Sequence, residues 1–175
     1  MKKISKVISV VERGMIKFIH CLNHRIYMKF YVRYLKRLGF TINGMPGYIH
    51  PSVIFDGKAY SQTIIGSRCV ISRDVLFLCH DYSLQTGFRS IGVDAEYPKA
   101  HWITGISLGD NVFVGARCTL LPGTEIGDNC IIGAGSVVKG RIPSNTIVFG
   151  NPARSVANTK DWAQKKLEEG KFLLG

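Results

Sequence analysis

The chain of 175 residues has only five cysteines, Cys21, Cys69, Cys79, Cys118 and Cys130, and no two stand in a CxxC spacing. An odd number without that spacing argues against a disulfide framework and leaves free thiols in a reducing cytoplasm as the expectation. No apolar run approaches the roughly eighteen residues that a membrane-spanning helix needs, so no span is expected. The apolar stretch from Ile4 is cut by Glu12 and Arg13, and no small-residue cleavage site follows, so no secretory signal is expected. Acids are scarce at the front. Residues 1–40 hold one, Glu12, against ten Lys or Arg, whereas the remaining 135 residues hold thirteen bases and eleven acids. The net charge of +11 therefore belongs to an N-terminal arm and not to the body. No recognition module accompanies the basic run, so nucleic acid is not an expected partner.

What is present falls into three regions. In the arm, residues 1–47, Ile4, Ile8, Val11, Met15, Phe18 and Leu22 follow a 4-3-4-3-4 spacing that lays them on one face of a helix, with Lys and Arg opposite. A second basic and aromatic run, RIYMKFYVRYLKRLGF, carries on past Asn23 to Gly39. Two uses stand open for this arm. It is a helical cap on the body or on a neighbouring subunit, or an in-plane helix at an anionic membrane surface.

The body, residues 48–156, repeats. From Leu108 it reads LGDNVF, VGARCT, LLPGTE, IGDNCI, IGAGSV and VKGRIP, with an aliphatic residue always first (Leu108, Val114, Leu120, Ile126, Ile132, Val138) and glycine second in four of the six. Upstream the same frame shows in IGSRCV, ISRDVL and FLCHDY. A period of six is not helical. It fits very short strands joined by tight turns, with aliphatics pointing into a narrow coil, glycines expected at turns needing positive φ, and coils that must stack to bury their faces. The fold class is mainly β, with Cys69, Cys118 and Cys130 as small inward fillers. The rhythm breaks at His80, and about residues 82–105 are an excursion before it resumes. Residues 157–175 read as a terminal helix, capped by Asn158 or Thr159, closed by Gly170, and packing Trp162 and Leu167 on the coil end.

The hexads, with IGAGSVV followed by IPSNTIVFGNPAR, resemble the hexapeptide-repeat O-acetyltransferases, in the branch of the galactoside, maltose and virginiamycin-type enzymes and the sugar acetyltransferases of surface polysaccharides. That resemblance implies a left-handed parallel β-helix of triangular section and a homotrimer, with acetyl-CoA or another acyl-CoA held between two subunits. It implies no metal. It matches His80 to the catalytic histidine, which takes a proton from a sugar hydroxyl as that hydroxyl attacks the thioester directly, and residues 82–105 to a loop that reaches over the neighbouring cleft. It carries Glu96 over as an acid near the site. For the cofactor it implies Phe113, a backbone amide of the Gly115–Ala116 turn, the main chain of Ala134, and Lys139, Arg141 and Arg154 toward the phosphates.

The usual Thr-Lys pair after IGAGS is Lys139-Gly140 here. Asp81 adjoins His80, but neighbours on a strand point to opposite faces, so direct pairing between them is not expected. The acceptor is expected to be a sugar or a lipid-linked saccharide, consistent with a protein on the inner face of the membrane. A zinc enzyme on the same scaffold would need a third histidine, which the hexads do not supply. A serine acetyltransferase would need a long helical N-terminal domain. The remaining alternative is a non-catalytic trimeric scaffold held at the membrane.

Overall fold

The computed structural model describes residues 14–15, 19–20, 23–57, 59–93 and 101–170. Most of the 4-3-4-3-4 stripe, Cys21, Glu96 and the last five residues lie outside the described residues. Helix α1 (His24–Leu38) opens on Asn23, whose side chain accepts the Ile26 amide at 3.0 Å, and closes on Gly39 in the left-handed region at φ 109°. The hexads then form two-residue strands that step round three sides of a coil. Coil one is β1 (Thr41–Ile42), β2 (Tyr48–Ile49) and β3 (Ile54–Phe55), and coil two is β4 (Ile64–Ile65), β5 (Val70–Ile71) and β6 (Leu76–Phe77). The excursion follows, as β7 (His80–Asp81), α2 (Ser83–Ser90) and β8 (Trp102–Ile103), with β7 and β8 antiparallel. Coil three is β9 (Ser107–Leu108), β10 (Phe113–Val114) and β11 (Thr119–Leu120), and coil four is β12 (Glu125–Ile126), β13 (Ile131–Ile132) and β14 (Val137–Val138). Then come β15 (Arg141–Ile142), β16 (Thr146–Gly150), β17 (Ala153–Asn158) and α3 (Thr159–Glu169).

Strands of successive coils pair in parallel as three sheets, β1-β4-β9-β12-β15, β2-β5-β10-β13-β16 and β3-β6-β11-β14, with β17 returning antiparallel on β16. The register aligns the first residue of each hexad. Ile42, Ile65, Leu108, Ile126 and Ile142 stack on one side, Ile49, Ile71, Val114, Ile132 and Val148 on the second, and Phe55, Phe77, Leu120 and Val138 on the third. These columns are the core of a mainly β, parallel β-helix. A single coil exposes its aliphatic face, and burying each such side chain contributes about 1.5–3 kcal/mol, which is why the units stack.

Four details differ from the reading of the sequence. The corners that need positive φ fall at the fourth residue of the hexad, at Arg68, Asp74, Asn111, Arg117 and Asn129 as well as Gly123 and Gly135. The second-position glycines serve close approach instead: a Cβ on Gly115 would lie 2.5 Å from the Ala134 nitrogen of the next coil. The last hexad is shortened, so that its aliphatic Ile142, and not a residue six after Val138, stacks in register on Ile126, after Gly140 tightens the turn at φ 79°. The stack begins at β1, inside the stretch read as arm, because Thr41 and Ile42 already pair with β4. Finally, α3 is capped by Asn158 and closed by Gly170, yet none of its residues is buried, and Trp162 and Leu167 are 44% and 62% exposed.

Cys69, Cys118 and Cys130 are fully buried corner residues, each donating its thiol to a carbonyl of the adjoining coil at 3.1 Å. Burial pushes all three thiols up, so they stay protonated at neutral pH and act as fillers. His20 and His50 join Tyr27 and Tyr48 in a ring cluster beside α1, where His20 Nε2 meets the Tyr48 hydroxyl at 2.8 Å. Burial, ahead of the neighbouring His20 and Arg73, holds His50 below the usual imidazole range.

Candidate active site

The break at His80 acquires a geometry from the register of the third sheet. Phe55 pairs with Phe77, and the Asp56 amide donates to the Phe77 carbonyl at 3.0 Å, so Asp56 rides directly beside Leu78. The chain then leaves the sheet. The Cys79 amide donates to Asp56 Oδ2 at 3.2 Å, and His80 Nδ1 pairs with the same oxygen. His80 is 29% exposed on its side chain and Asp56 only 12%. A carboxylate accepting at Nδ1 holds the proton there and leaves Nε2 with its lone pair, the state required of a proton acceptor. Asp56 was not singled out by sequence reasoning. Its signal was the column it shares: Asp56, Leu78, Leu121 and Lys139 each follow the inward residue of a third-sheet strand, and only one of them is an acid.

Asp81 does not partner His80. Its carboxylate accepts the Ser83 amide at 2.8 Å at the start of α2, and this bonding, with smaller help from Lys139 and His80, lowers its pKa. Cys79, which precedes the histidine, is 2% exposed. Burial above all, with the Asp56 carboxylate adding to it against a contact from the Thr63 hydroxyl, pushes its thiol up, so it is no nucleophile at neutral pH. The ring of Tyr82 meets His80 edge-on at 5.1 Å and lies 5.3 Å from His101, so the returning strand of the excursion also borders the site.

His80 opens on a cleft of about 340 Å³ walled by Leu78, Leu121 and Pro122 of successive coils, by Trp102 and Ser83 of the excursion, and by Lys139. His80 and Lys139 are thus brought together. The other sequence-derived candidates are not. Phe113 points outward on the second sheet, 42% exposed. Gly115, Ala116 and Ala134 form the next corner, where the Gly115 amide is already committed to the Ile132 carbonyl at 2.8 Å, leaving the Ala116 amide as the donor a ligand could take. Arg154 lies exposed on β17 opposite Phe149, its Nη1 donating to the Ala153 carbonyl at 3.0 Å. Arg141 faces out on the first sheet beside Glu125, on a different side from both groups. A three-sided coil separates them because six residues of sequence turn the chain through a corner. Glu96 lies outside the described residues.

The family model of the bacterial transferase hexapeptide (six repeats) matches residues 105–140. The putative acetyltransferase YvoF of Bacillus subtilis (strain 168) is 32% identical over 134 residues, 77% of this chain and 64% of that one. The putative lipopolysaccharide biosynthesis O-acetyl transferase WbbJ of Escherichia coli (strain K12) is 41% identical over 63 residues, 34% of this chain and 32% of that one. The chain therefore spans less than two thirds of either relative. A galactoside acetyltransferase solved in complex with coenzyme A superposes with a TM-score of 0.59 at 21% identity, over 89% of this chain and 83% of that one. Residues 105–140 thus match the hexapeptide-repeat model, and the chain is similar in sequence and in fold to proteins described as acetyltransferases.

Proposed function

We propose that the chain is an acetyl-CoA-dependent O-acyltransferase whose acceptor is a sugar hydroxyl of a surface polysaccharide or its precursor. The observation that carries this reading is the Asp56–His80 pair opening on a cleft. A hydroxyl is a poor nucleophile until a base removes its proton as it attacks. In the proposed reaction, His80 Nε2 takes that proton while the oxygen forms its bond to the thioester carbonyl carbon. The tetrahedral intermediate collapses with cleavage of the C–S bond, and the imidazolium returns the proton to the departing thiolate. Asp56 keeps the ring oriented and balances the transient imidazolium charge. Trp102, 58% exposed at the cleft, offers a flat face to a sugar ring. Attack is direct, because the adjacent thiol of Cys79 is buried and protonated.

Lys139 stands two coils below Leu78 on the wall of the cleft that His80 also lines, roughly 10 Å along it at the spacing of paired strands, and suits an anionic part of the cofactor. Phe113, Ala116, Ala134 and Arg154 lie on another side, so their part in the same site requires a second copy. The active unit we propose is accordingly a homotrimer with the cofactor between neighbours. The relatives described as acetyltransferases and the coenzyme A complex of the structural neighbour support this reading.

The test is release of free thiol from acetyl-CoA with a panel of sugars, sugar nucleotides and lipid-linked saccharides. Acceptor-dependent release is expected, and its absence with every acceptor class refutes the transferase. Asp56→Ala, which removes the acceptor at Nδ1, should lower kcat by up to the roughly 10²- to 10⁴-fold that a positioned general base contributes, with the KM for acetyl-CoA unchanged. Full activity in that variant would remove Asp56 from the mechanism.

A further inference from the structure

The two faces of α1 have different fates. Tyr27, Met28, Tyr31, Val32 and Leu35 are buried on coil one, where the Tyr27 hydroxyl donates to the Ile49 carbonyl at 2.5 Å and the Ile49 amide donates to Met28 Sδ at 3.4 Å. The opposite face carries Arg25, Ile26, Lys29, Phe30, Arg33 and Lys36, all exposed. At the turn angle of an α-helix these six fall within one arc of about 140°. The helix contains no acid, and Arg25, Lys29, Arg33 and Lys36 form no ion pair among the described residues. Ile26 and Phe30, four residues apart and 47% and 51% exposed, sit side by side at one end of this arc, next to the cations.

A merely solvated helix face mixes the signs of its charges and carries few large apolar groups. Four cations flanking an adjacent Ile–Phe pair along one side match a surface that is anionic at its polar boundary and apolar just beneath. Long basic side chains keep their charge among headgroups while the apolar pair dips below them. We propose that the outward face of α1 docks the protein on an anionic lipid surface. The cap and membrane readings of the arm then describe opposite sides of one helix. Docking there holds the candidate site near the bilayer, since α1 packs on the coil that supplies Asp56, and His80 follows on the next. The proposal stands apart from the proposed chemistry, because vesicle binding is read without turnover.

The experiment is co-sedimentation of the full chain with phosphatidylcholine vesicles, with and without phosphatidylglycerol, at low and high salt. Binding is expected only with phosphatidylglycerol and should weaken as salt rises. Lys29→Gln together with Arg33→Gln should weaken it about 30-fold, and Ile26→Ser with Phe30→Ser should weaken it while leaving the salt dependence in place. Both pairs lie outside the core and the candidate active site, so far-UV circular dichroism, unfolding midpoint and thiol release with a soluble acceptor should match the wild type. Failure of the wild type to bind anionic vesicles overturns the proposal. So does unchanged binding by the Lys29/Arg33 variant, which would move the contact to residues 1–22, or tighter binding to duplex DNA than to vesicles through the same two residues.

Discussion

His80→Ala is expected to lower kcat for thiol release by about 10²- to 10⁴-fold, the range that a positioned general base contributes. Three features set this size. The imidazole opens on the cleft, its Nδ1 is held by Asp56, and its neighbours Asp81 and Cys79 are committed to other contacts. Acetyl-CoA affinity should change little, because the substitution removes a group that acts on the hydroxyl and not on the pantetheine arm or the phosphates. Added imidazole should restore part of the rate by entering the space left by the ring. Steady-state kinetics, with cofactor binding measured separately, check both points. A variant that keeps more than about a tenth of the wild-type kcat would fall below the contribution of any general base and place the base elsewhere.

The second large effect is structural. Phe77 is fully buried, pairs in register with Phe55 and Leu120, and lies 4.7 Å from the Phe55 ring. Phe77→Ala should cost about 3–5 kcal/mol, the transfer term plus a cavity that rigid neighbouring coils cannot close. Its carbonyl also receives the Asp56 amide, and the chain from Phe77 leads straight into His80. Loosening this column should therefore lower activity in the molecules that remain folded. Urea unfolding should show a lower midpoint at unchanged slope, and Phe77→Leu, which keeps most of the volume, should lose much less. A midpoint within error of the wild type would mean that the column relaxes into the void, contrary to the packing described above.

Much of the architecture was legible along the chain. The period of six, the aliphatic first position and the small corner residues describe a stacked coil because each unit is built alike, and a unit so short can bury its face only on copies of itself. His80 stood out because the period stopped there. Asp56 did not, since pairing it with His80 takes the register between β3 and β6, and a strand's register is decided by how whole columns stack. The role of the second-position glycines was hidden for a related reason. Sequence shows that glycine is permitted there, whereas the Ala134 nitrogen that a Cβ on Gly115 would meet at 2.5 Å belongs to a neighbouring coil.

By itself, then, the sequence determined the repeat, the inward columns, the basic arm and the histidine at the interruption, because local spacing and side-chain type are properties of consecutive residues. The tertiary structure alone decided that Asp56 meets His80, that Lys139 shares their cleft while Phe113, Ala134 and Arg154 do not, and that α1 commits one face to the core and leaves the other outward. Each of these depends on which coil lies above which, and on which side of the triangle a residue emerges.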